Sequence, residues 1–188
     1  MLSFAAAADT VAERLERLGA AGRPRFVAVD GLTGAGKTTF GGYLAGRLGG
    51  RLVHGDDLAQ QGPELWDHAR FQRDVWRPLA AGRPASVELW HWTADRATGR
   101  LEIDPATALV VVEGIHVLDQ AVRTDWDLRL WLEVDEGLRH RRVRSRPGDR
   151  WDCWSTHWLG RELAYVQEQD PAGSADLIVD GDSAPAEA

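Results

Sequence analysis

One eight-residue stretch, "GLTGAGKT" at residues 31–38, constrains the fold of this chain more than any other feature. It matches the pattern G-x-x-x-x-G-K-[ST] and stands between the apolar run "RFVAVD" and a segment with apolar residues at helical spacing. A strand, a glycine turn and a helix in this order form a loop whose backbone N–H groups and helix N-terminus bind phosphate oxygens. The sequence therefore predicts a phosphate-binding loop at the edge of a sheet.

Every residue of this loop is expected to contribute to ATP binding. Lys37 should reach the β and γ phosphates, and Thr38 should hold Mg²⁺. Of the 22 basic residues, all but Lys37 are arginine, which indicates that a compact charge on a thin stem is needed there. The alternative is a glycine-rich turn that binds nothing. The full expected set is Gly31, Leu32, Thr33, Gly34, Ala35, Gly36, Lys37, Thr38 and Thr39.

Strand-like and helical patterns alternate along the 188 residues, which favours a single α/β domain over residues 1–188. A hairpin is expected from "SVELWHW" and "RLEI", joined through "TADRATG", and residues 183–188 are expected to be a flexible tail. The leading helix lies within residues 1–20, at 3–18. The other predicted helices cover 38–48, 64–81, 136–146 and 154–169, and the predicted strands cover 25–30, 51–54, 108–114, 127–135 and "ADLIVDG".

The charge balance limits the class of partner. Against 22 basic residues stand 29 acidic ones, and this net charge of -7 disfavours nucleic acid and anionic membranes as partners. The chain has one cysteine, no signal-peptide pattern and no apolar run near the roughly 18 residues that cross a bilayer. We expect a cytoplasmic protein that acts on a small molecule and could form a homo-oligomer.

Acidic residues follow two of the predicted strands. "HGDDL" places Asp56 and Asp57 after the strand at 51–54, where an extended backbone would point the two side chains in opposite directions. Glu113 ends the apolar run "ALVVVE", so it should emerge at the same sheet edge as the loop and bind Mg²⁺ directly or through water. The alternative for Glu113 is a cap of the next helix. Asp30, directly before the glycines, is expected to be structural and not catalytic.

The segments "VDGLTGAGKTT", "HGDDL", "LVVVEGIHVL", "LRHRRVRSR" and "ADLIVDG" resemble, in this order, the uridine kinase-like group of P-loop kinases. That group includes phosphoribulokinase and bacterial pantothenate kinase, and the resemblance covers most of residues 25–181. It implies a three-layer P-loop NTPase fold: a five-stranded, mostly parallel sheet with helices on both faces. A lid at 141–153 and an acceptor-site hairpin at 84–104 complete it. The implied activity is ATP- and Mg²⁺-dependent phosphorylation of a hydroxyl on a small molecule, most directly a nucleoside such as uridine or cytidine.

The resemblance also assigns roles to single residues. Asp56 matches the family's catalytic base, which also contacts Mg²⁺, and this leaves Asp57 as a cap or pocket wall. In the lid, Arg141 and Arg144 are expected to act on the transferring phosphoryl group, and Arg142 to bind ATP. Ser145 stands where the family commonly has a later lid arginine, so the identity of the engaged arginines stays open.

The acceptor pocket departs most from the family pattern. Uridine kinases carry an aromatic-Asp-aromatic stretch followed by a histidine, and this chain has "LWHWTADR". Strand alternation places Trp90 and Trp92 on one face, where they could stack on an acceptor or pack under the lid. Asp67 loosely matches an element that grips the ribose, and His116 could enter the acceptor cleft or begin a helix.

Two alternatives to a nucleoside kinase follow from this departure. One is a kinase for another alcohol, such as a sugar, a vitamin precursor or a specialised metabolite. The other is a nucleotide-binding switch or partner-binding module without an acceptor, for which a base such as Asp56 would have no use.

Overall fold

A computed structural model of the chain describes residues 1–19, 21–58, 67–91, 96–122, 124–146 and 150–183. In chain order its strands are β1 (Arg25–Gly31), β2 (Arg51–His54), β3 (Ala85–His91), β4 (Arg96–Ile103), β5 (Leu109–Glu113), β6 (Leu128–Glu133) and β7 (Leu177–Asp180). Five of them form one parallel sheet in the order β2-β5-β1-β6-β7, and β3 pairs antiparallel with β4 in a separate hairpin.

The helices are α1 (Phe4–Arg17), α2 (Lys37–Arg47), α3 (His68–Phe71), α4 (Arg77–Ala80), α5 (Glu136–Arg144), α6 (Arg150–Cys153), α7 (Leu159–Gln169) and α8 (Pro171–Ser174). The leading helix begins where the sequence indicates, because the side chain of Ser3 accepts a hydrogen bond from the backbone N–H of Ala6. Across the described ranges, every helix is too short or too polar to span a bilayer.

Apolar side chains alternate between the two faces of β1. Val27 and Val29 pack with apolar residues of α1 and α2, whereas Phe26 and Ala28 pack with those of α3, α4 and the hairpin. All four are fully buried, as expected of a central strand that is covered on both faces. The expected α/β fold, with a five-stranded sheet between two layers, is confirmed.

The register of the sheet decides which residues meet at its C-terminal edge. Val29 pairs with Glu113 on one side of β1, and Gly31 pairs with Leu132 on the other. His54, the last residue of β2, also pairs with Glu113. The glycine turn therefore emerges between the ends of β5 and β6, beside the carboxylate of Glu113.

Two helical segments are less regular than the periodicity predicts. A π-helical turn, Gln72–Trp76, joins α3 to α4, and a second one, Trp154–Trp158, joins α6 to α7. The segment predicted to be helical from residue 64 is described only from residue 67, and its earlier part lies outside the described residues.

The hairpin and the tail also differ from expectation. β4 begins at Arg96, so "RATG" belongs to the strand and not to the connection. A shift of register between Leu89 and Trp90 breaks the strict alternation on which the faces of β3 were predicted. Ser183, the first residue of the predicted flexible tail, is held by two hydrogen bonds. Its Oγ accepts from the backbone N–H of Phe4 at 3.0 Å and donates to the carbonyl of Asp180 at 2.7 Å. Residues 184–188 lie outside the described residues.

Candidate active site

The glycine loop joins β1 to α2 in a shape that only small residues permit. Gly34 and Gly36 have φ angles of 84° and 98°, in the left-handed region that favours glycine. A Cβ at Gly34 would lie 2.8 Å from the carbonyl oxygen of Arg139. Gly36 caps the N-terminus of α2 without a side chain, which leaves the first N–H groups of that helix open to an anion.

Lys37, the first residue of α2, is buried against this loop. Its Nζ donates hydrogen bonds to the carbonyls of Gly31 at 2.8 Å and Leu32 at 3.2 Å. The charge is therefore held at the loop, where Lys37 could exchange these bonds for phosphate oxygens.

Thr38 and Glu113 bring oxygen atoms together beside the loop. Thr38 Oγ1 donates to Glu113 Oε1 at 3.1 Å, and His54 Nδ1 lies 2.7 Å from the same oxygen. The hydrogen bond to Glu113 raises the pKa of His54 above its usual value. Gly41 lets α2 approach this place, since a Cβ there would come within 3.4 Å of Glu113 Cγ.

These oxygen atoms suit Mg²⁺, a hard cation that prefers oxygen ligands. Thr38, Glu113 and Asp56 are the residues that would hold it, and the ion would neutralise charge on the phosphates. In the part of the chain that the structure describes, no three His, Cys, Asp or Glu residues are grouped as a metal site.

Asp56 and Asp57 lie in a single 3₁₀ turn, Gly55–Leu58, directly after β2. The prediction from strand alternation is wrong here, because the backbone has left the extended conformation at Gly55. The two acids still differ: Asp56 is exposed and Asp57 is half-buried. Although solvent reaches Asp56, partial desolvation by the surrounding protein raises its pKa, and the negative charge of Glu113 adds to this effect.

Asp30 is buried beneath the loop and makes three hydrogen bonds. Its Oδ1 accepts from the N–H of Gly31 at 2.6 Å, and its Oδ2 accepts from the N–H of Leu118 at 2.9 Å and from the hydroxyl of Tyr165 at 2.8 Å. Burial raises the pKa of this carboxyl. Asp30 thus connects the start of the loop to α7, a structural use of the kind that the sequence indicated.

Sequence reasoning missed a second buried acid at the loop. Glu162 on α7 accepts from the backbone N–H of Thr33 at 3.0 Å, from its hydroxyl at 2.5 Å and from Trp154 Nε1 at 2.8 Å. Arg139 on α5 donates to the carbonyl of Thr33 at 3.1 Å. The available sequence signal was weak: Glu162 stands on the buried face of α7, three residues before Tyr165.

The lid arginines occupy different surroundings. Arg142 Nη1 donates to the carbonyls of Gly34 at 3.3 Å and Gly181 at 3.0 Å. The guanidinium of Arg144 stacks over the ring of Trp151 at 3.9 Å from its centroid, and Arg141 is exposed. In this structure the helix face that lies on the loop is the one with Arg142, so the expected phosphoryl contacts of Arg141 and Arg144 stay predictions.

The predicted acceptor residues are less closely organised. Asp67 Oδ1 accepts from the backbone N–H of Arg70 at 2.8 Å and thereby caps α3. Trp90 is half-buried, and Trp92 lies outside the described residues. Arg70, which the sequence did not flag, donates to the carbonyls of Leu58 at 3.0 Å and Glu88 at 2.5 Å. It ties the turn that carries Asp56 to the hairpin.

His116 does not begin a helix. It has a φ of 65° in a turn after β5, and its ring stacks on that of Tyr165 at 4.1 Å between centroids. The side chain is buried, and its Nδ1 lies 3.6 Å from Asp119 Oδ2, outside hydrogen-bond distance. Among the described residues, Nε2 has no hydrogen-bond partner. Desolvation lowers the pKa of His116, which favours a neutral imidazole.

Comparison with known proteins finds similar proteins whose names describe kinases. No family model matches the chain. A shikimate kinase from Synechococcus sp. (strain RCC307) is 26% identical over 155 residues, which are 79% of this chain and 72% of that protein. Among solved structures, a candidate fructose transport system kinase from Silicibacter sp. TM1040 aligns with a TM-score of 0.68 and 23% identity, over 95% of this chain and 99% of that one. A candidate uridine kinase from Bacillus stearothermophilus aligns with a TM-score of 0.67 and 19% identity, over 91% and 100% of the two chains.

The chain folds as a P-loop kinase. The three similar proteins named above carry the names of small-molecule kinases, and the resemblance drawn from the motifs is confirmed at the level of the fold. Within this P-loop kinase fold, direct contacts join Thr38 to Glu113 and Lys37 to the loop. The turn that carries Asp56 follows His54, which pairs with Glu113.

Proposed function

We propose that this protein transfers the γ-phosphate of ATP to a hydroxyl group of a small molecule, with Mg²⁺ as cofactor. One observation carries the proposal: His54, the last residue of β2, pairs with Glu113, and Glu113 accepts a hydrogen bond from Thr38 of the phosphate loop. The turn Gly55–Leu58, which carries the carboxylate of Asp56, follows His54 directly and therefore begins at the same sheet edge as the loop. A protein that only binds nucleotide needs the loop but not this carboxylate.

Each group has a defined part in the proposed reaction. The loop N–H groups and Lys37 bind the phosphates, while Thr38 and Glu113 belong to the Mg²⁺ site. Asp56 accepts the proton of the acceptor hydroxyl as that oxygen attacks the γ-phosphorus. The bond from the γ-phosphorus to the bridging oxygen breaks, and ADP leaves with that oxygen. Phosphoryl transfer depends mainly on position and charge neutralisation, which a rigid loop with a buried lysine supplies.

The first acceptor class that we propose is a nucleoside such as uridine or cytidine. Its support is the family resemblance of the motifs and the fold shared with a candidate uridine kinase. A non-nucleoside alcohol is the second class, and one observation favours it: Asp67, the expected ribose contact, uses an oxygen to cap α3. The relatives named for shikimate and fructose also point this way.

The test is transfer from ATP labelled at the γ-phosphate, with Mg²⁺, to uridine, cytidine, shikimate, fructose and a set of vitamin precursors. The expected result is a labelled phosphate ester with one member of the panel, and loss of that product in Asp56→Asn protein. Slow release of inorganic phosphate, without any labelled ester and at equal rates in both proteins, would instead support a nucleotide-binding switch.

We also propose that the protein works in the cytoplasm on small molecules, without nucleic acid or membrane. The excess of acidic residues supports this placement. Size-exclusion chromatography with light scattering would test whether the protein forms a homo-oligomer.

A further inference from the structure

The three polar backbone and side-chain groups of Thr33 are all held from outside the loop. Glu162 accepts from its N–H and its hydroxyl, and Arg139 donates to its carbonyl. The two side chains come from different helices, α7 and α5. The middle of the phosphate loop is thus hydrogen-bonded by side chains of two helices, and neither of them belongs to β1 or α2.

The side chains of Glu162 and Arg139 both carry charge and are almost fully buried. Glu162 is 1% exposed and Arg139 is 4% exposed, and Arg139 Nη1 lies 4.0 Å from Glu162 Oε2. Burying a carboxylate and a guanidinium is costly unless both are paired and hydrogen-bonded. Trp154 adds a further donor to Glu162 at 2.8 Å, so the carboxylate is satisfied by the loop, the tryptophan and the arginine together.

The helix α5 also touches the loop through its backbone. At Gly34, an added Cβ would meet the carbonyl oxygen of Arg139 at 2.8 Å and Val143 Cγ2 at 3.3 Å. Arg142, three residues after Arg139 and on the same helix face, donates to the carbonyl of Gly34. Successive carbonyls of the loop, those of Thr33 and Gly34, are therefore bound by two arginines on one face of α5, Arg139 and Arg142.

We propose that Glu162 and Arg139 are positioning residues for phosphoryl transfer. They hold the loop in one conformation before the phosphates arrive, so that ATP does not have to order it on binding. Arg139 lies on α5, the helix that carries the predicted lid arginines. The same contacts therefore fix the position of α5 relative to the bound phosphates. This inference rests on the proposed function, since it assigns the two residues to the binding of ATP.

Four variants of the full chain test the inference through the Kd for ATP and the Tm. Thr33→Val removes the hydroxyl that bonds Glu162, and Thr33→Ser restores it. Glu162→Gln keeps the shape of the side chain but removes its charge and one acceptor oxygen. Glu168→Gln changes an exposed acid on the same helix and serves as the matched control.

We expect Thr33→Val and Glu162→Gln to weaken ATP binding by about tenfold, the equivalent of one lost hydrogen bond to a charged group. Glu168→Gln should bind ATP with nearly wild-type affinity, and Thr33→Ser, which keeps the hydroxyl, should bind ATP more tightly than Thr33→Val. A fifth variant, Val11→Ala, lowers stability from the core beneath α1 and shows what destabilisation alone does to the Kd.

Two results would overturn the inference, and they differ from failure of the proposed function. Wild-type ATP affinity in both Thr33→Val and Glu162→Gln, with a Tm lowered as in Val11→Ala, would make the contacts structural only. Equal weakening in Thr33→Val and Thr33→Ser would show that the hydroxyl is not the group that matters. Wild-type protein that binds no ATP would refute the proposed function and the inference with it. If Glu162→Gln does not fold, the Thr33 pair still decides.

Discussion

The region around the glycine loop, which is the proposed nucleotide side, and the proposed acceptor side are built differently. On the nucleotide side, a regular strand and a regular helix flank the loop, and Asp30, Glu162 and Lys37 are each held by two or more hydrogen bonds. The acceptor side consists of a 3₁₀ turn, a π-helical turn and a hairpin with an irregular register.

This difference indicates how the two substrates are recognised. Phosphates are bound by backbone groups, so the loop needs a fixed path and glycines more than particular side chains. The acceptor must be recognised by side chains, and the turns and the hairpin proposed to carry them are irregular. We infer that the hydrogen bonds around the glycine loop shape the nucleotide half in advance.

The largest expected effect comes from the acceptor side. Asp56→Asn should lower kcat by about 10²–10⁴-fold, because an amide cannot accept the proton of the acceptor hydroxyl. The Kd for ATP, measured without Mg²⁺, should stay near the wild-type value, since Asp56 is not part of the loop. Asp57→Asn is the matched control and should retain most of the activity. The reverse pattern, with Asp57→Asn inactive, would move the base to Asp57.

A change on the nucleotide side should affect binding as well as turnover. Lys37→Ala should lower kcat/KM by about 10²–10³-fold and weaken ATP binding, because the buried charge at the loop is lost. Lys37→Arg should not restore activity, since a planar guanidinium does not fit the space of a single ammonium. Arg47→Ala, on the exposed end of the same helix, should behave as wild type. Normal ATP binding by Lys37→Ala would contradict the role of the loop.

The free energy of unfolding should show how much the hydrogen bonds to Asp30 stabilise the nucleotide side. Tyr165→Phe removes a donor to the buried Asp30 and should lower the free energy of unfolding by about 1–2 kcal/mol. Tyr43→Phe on the half-buried face of α2 is the comparison, with a smaller expected loss. Urea denaturation of the wild type and the two variants measures the difference in the free energy of unfolding. Equal stability of the two variants would show that the bond to Asp30 contributes nothing.

The smallest expected effect is a pH dependence at the border between the two sides. Glu113 raises the folded-state pKa of His54, so this contact stabilises the fold fully below about pH 6.5 and loses its effect as the pH rises through the folded-state pKa. Without metal, the Tm difference between wild type and His54→Gln should therefore be larger at acidic than at alkaline pH. His157→Gln, at an exposed position, is the control for replacing a histidine away from Glu113. A constant difference for His54→Gln would contradict the pairing.

The parts of the fold that depend on local pattern could be predicted from the sequence. The loop has a fixed glycine spacing, and β5 is an apolar run without alternation, so their order and the parallel sheet follow directly. The meeting of Thr38 with Glu113 follows from the same rule, because parallel strands end at one edge.

Contacts between distant segments could not be predicted in this way. Glu162 and Thr33 are 129 positions apart, and no spacing rule joins an acid on one helix to a loop so far away. Helical periodicity grouped the lid arginines by face, but tertiary packing decided that the face of Arg142 lies on the loop. The 3₁₀ turn after β2 arises where Gly55 ends the strand, and this broke the alternation expected for Asp56 and Asp57.

The strand order also sets when the glycine loop gains its supports during synthesis. β1 is made before its two neighbours in the sheet, β5 and β6, which begin only at Leu109 and Leu128. Contacts of such long range slow folding, and a chain that grows from its N-terminus must wait for them. The loop therefore gains its neighbouring strands late, and Glu162 reaches it later still.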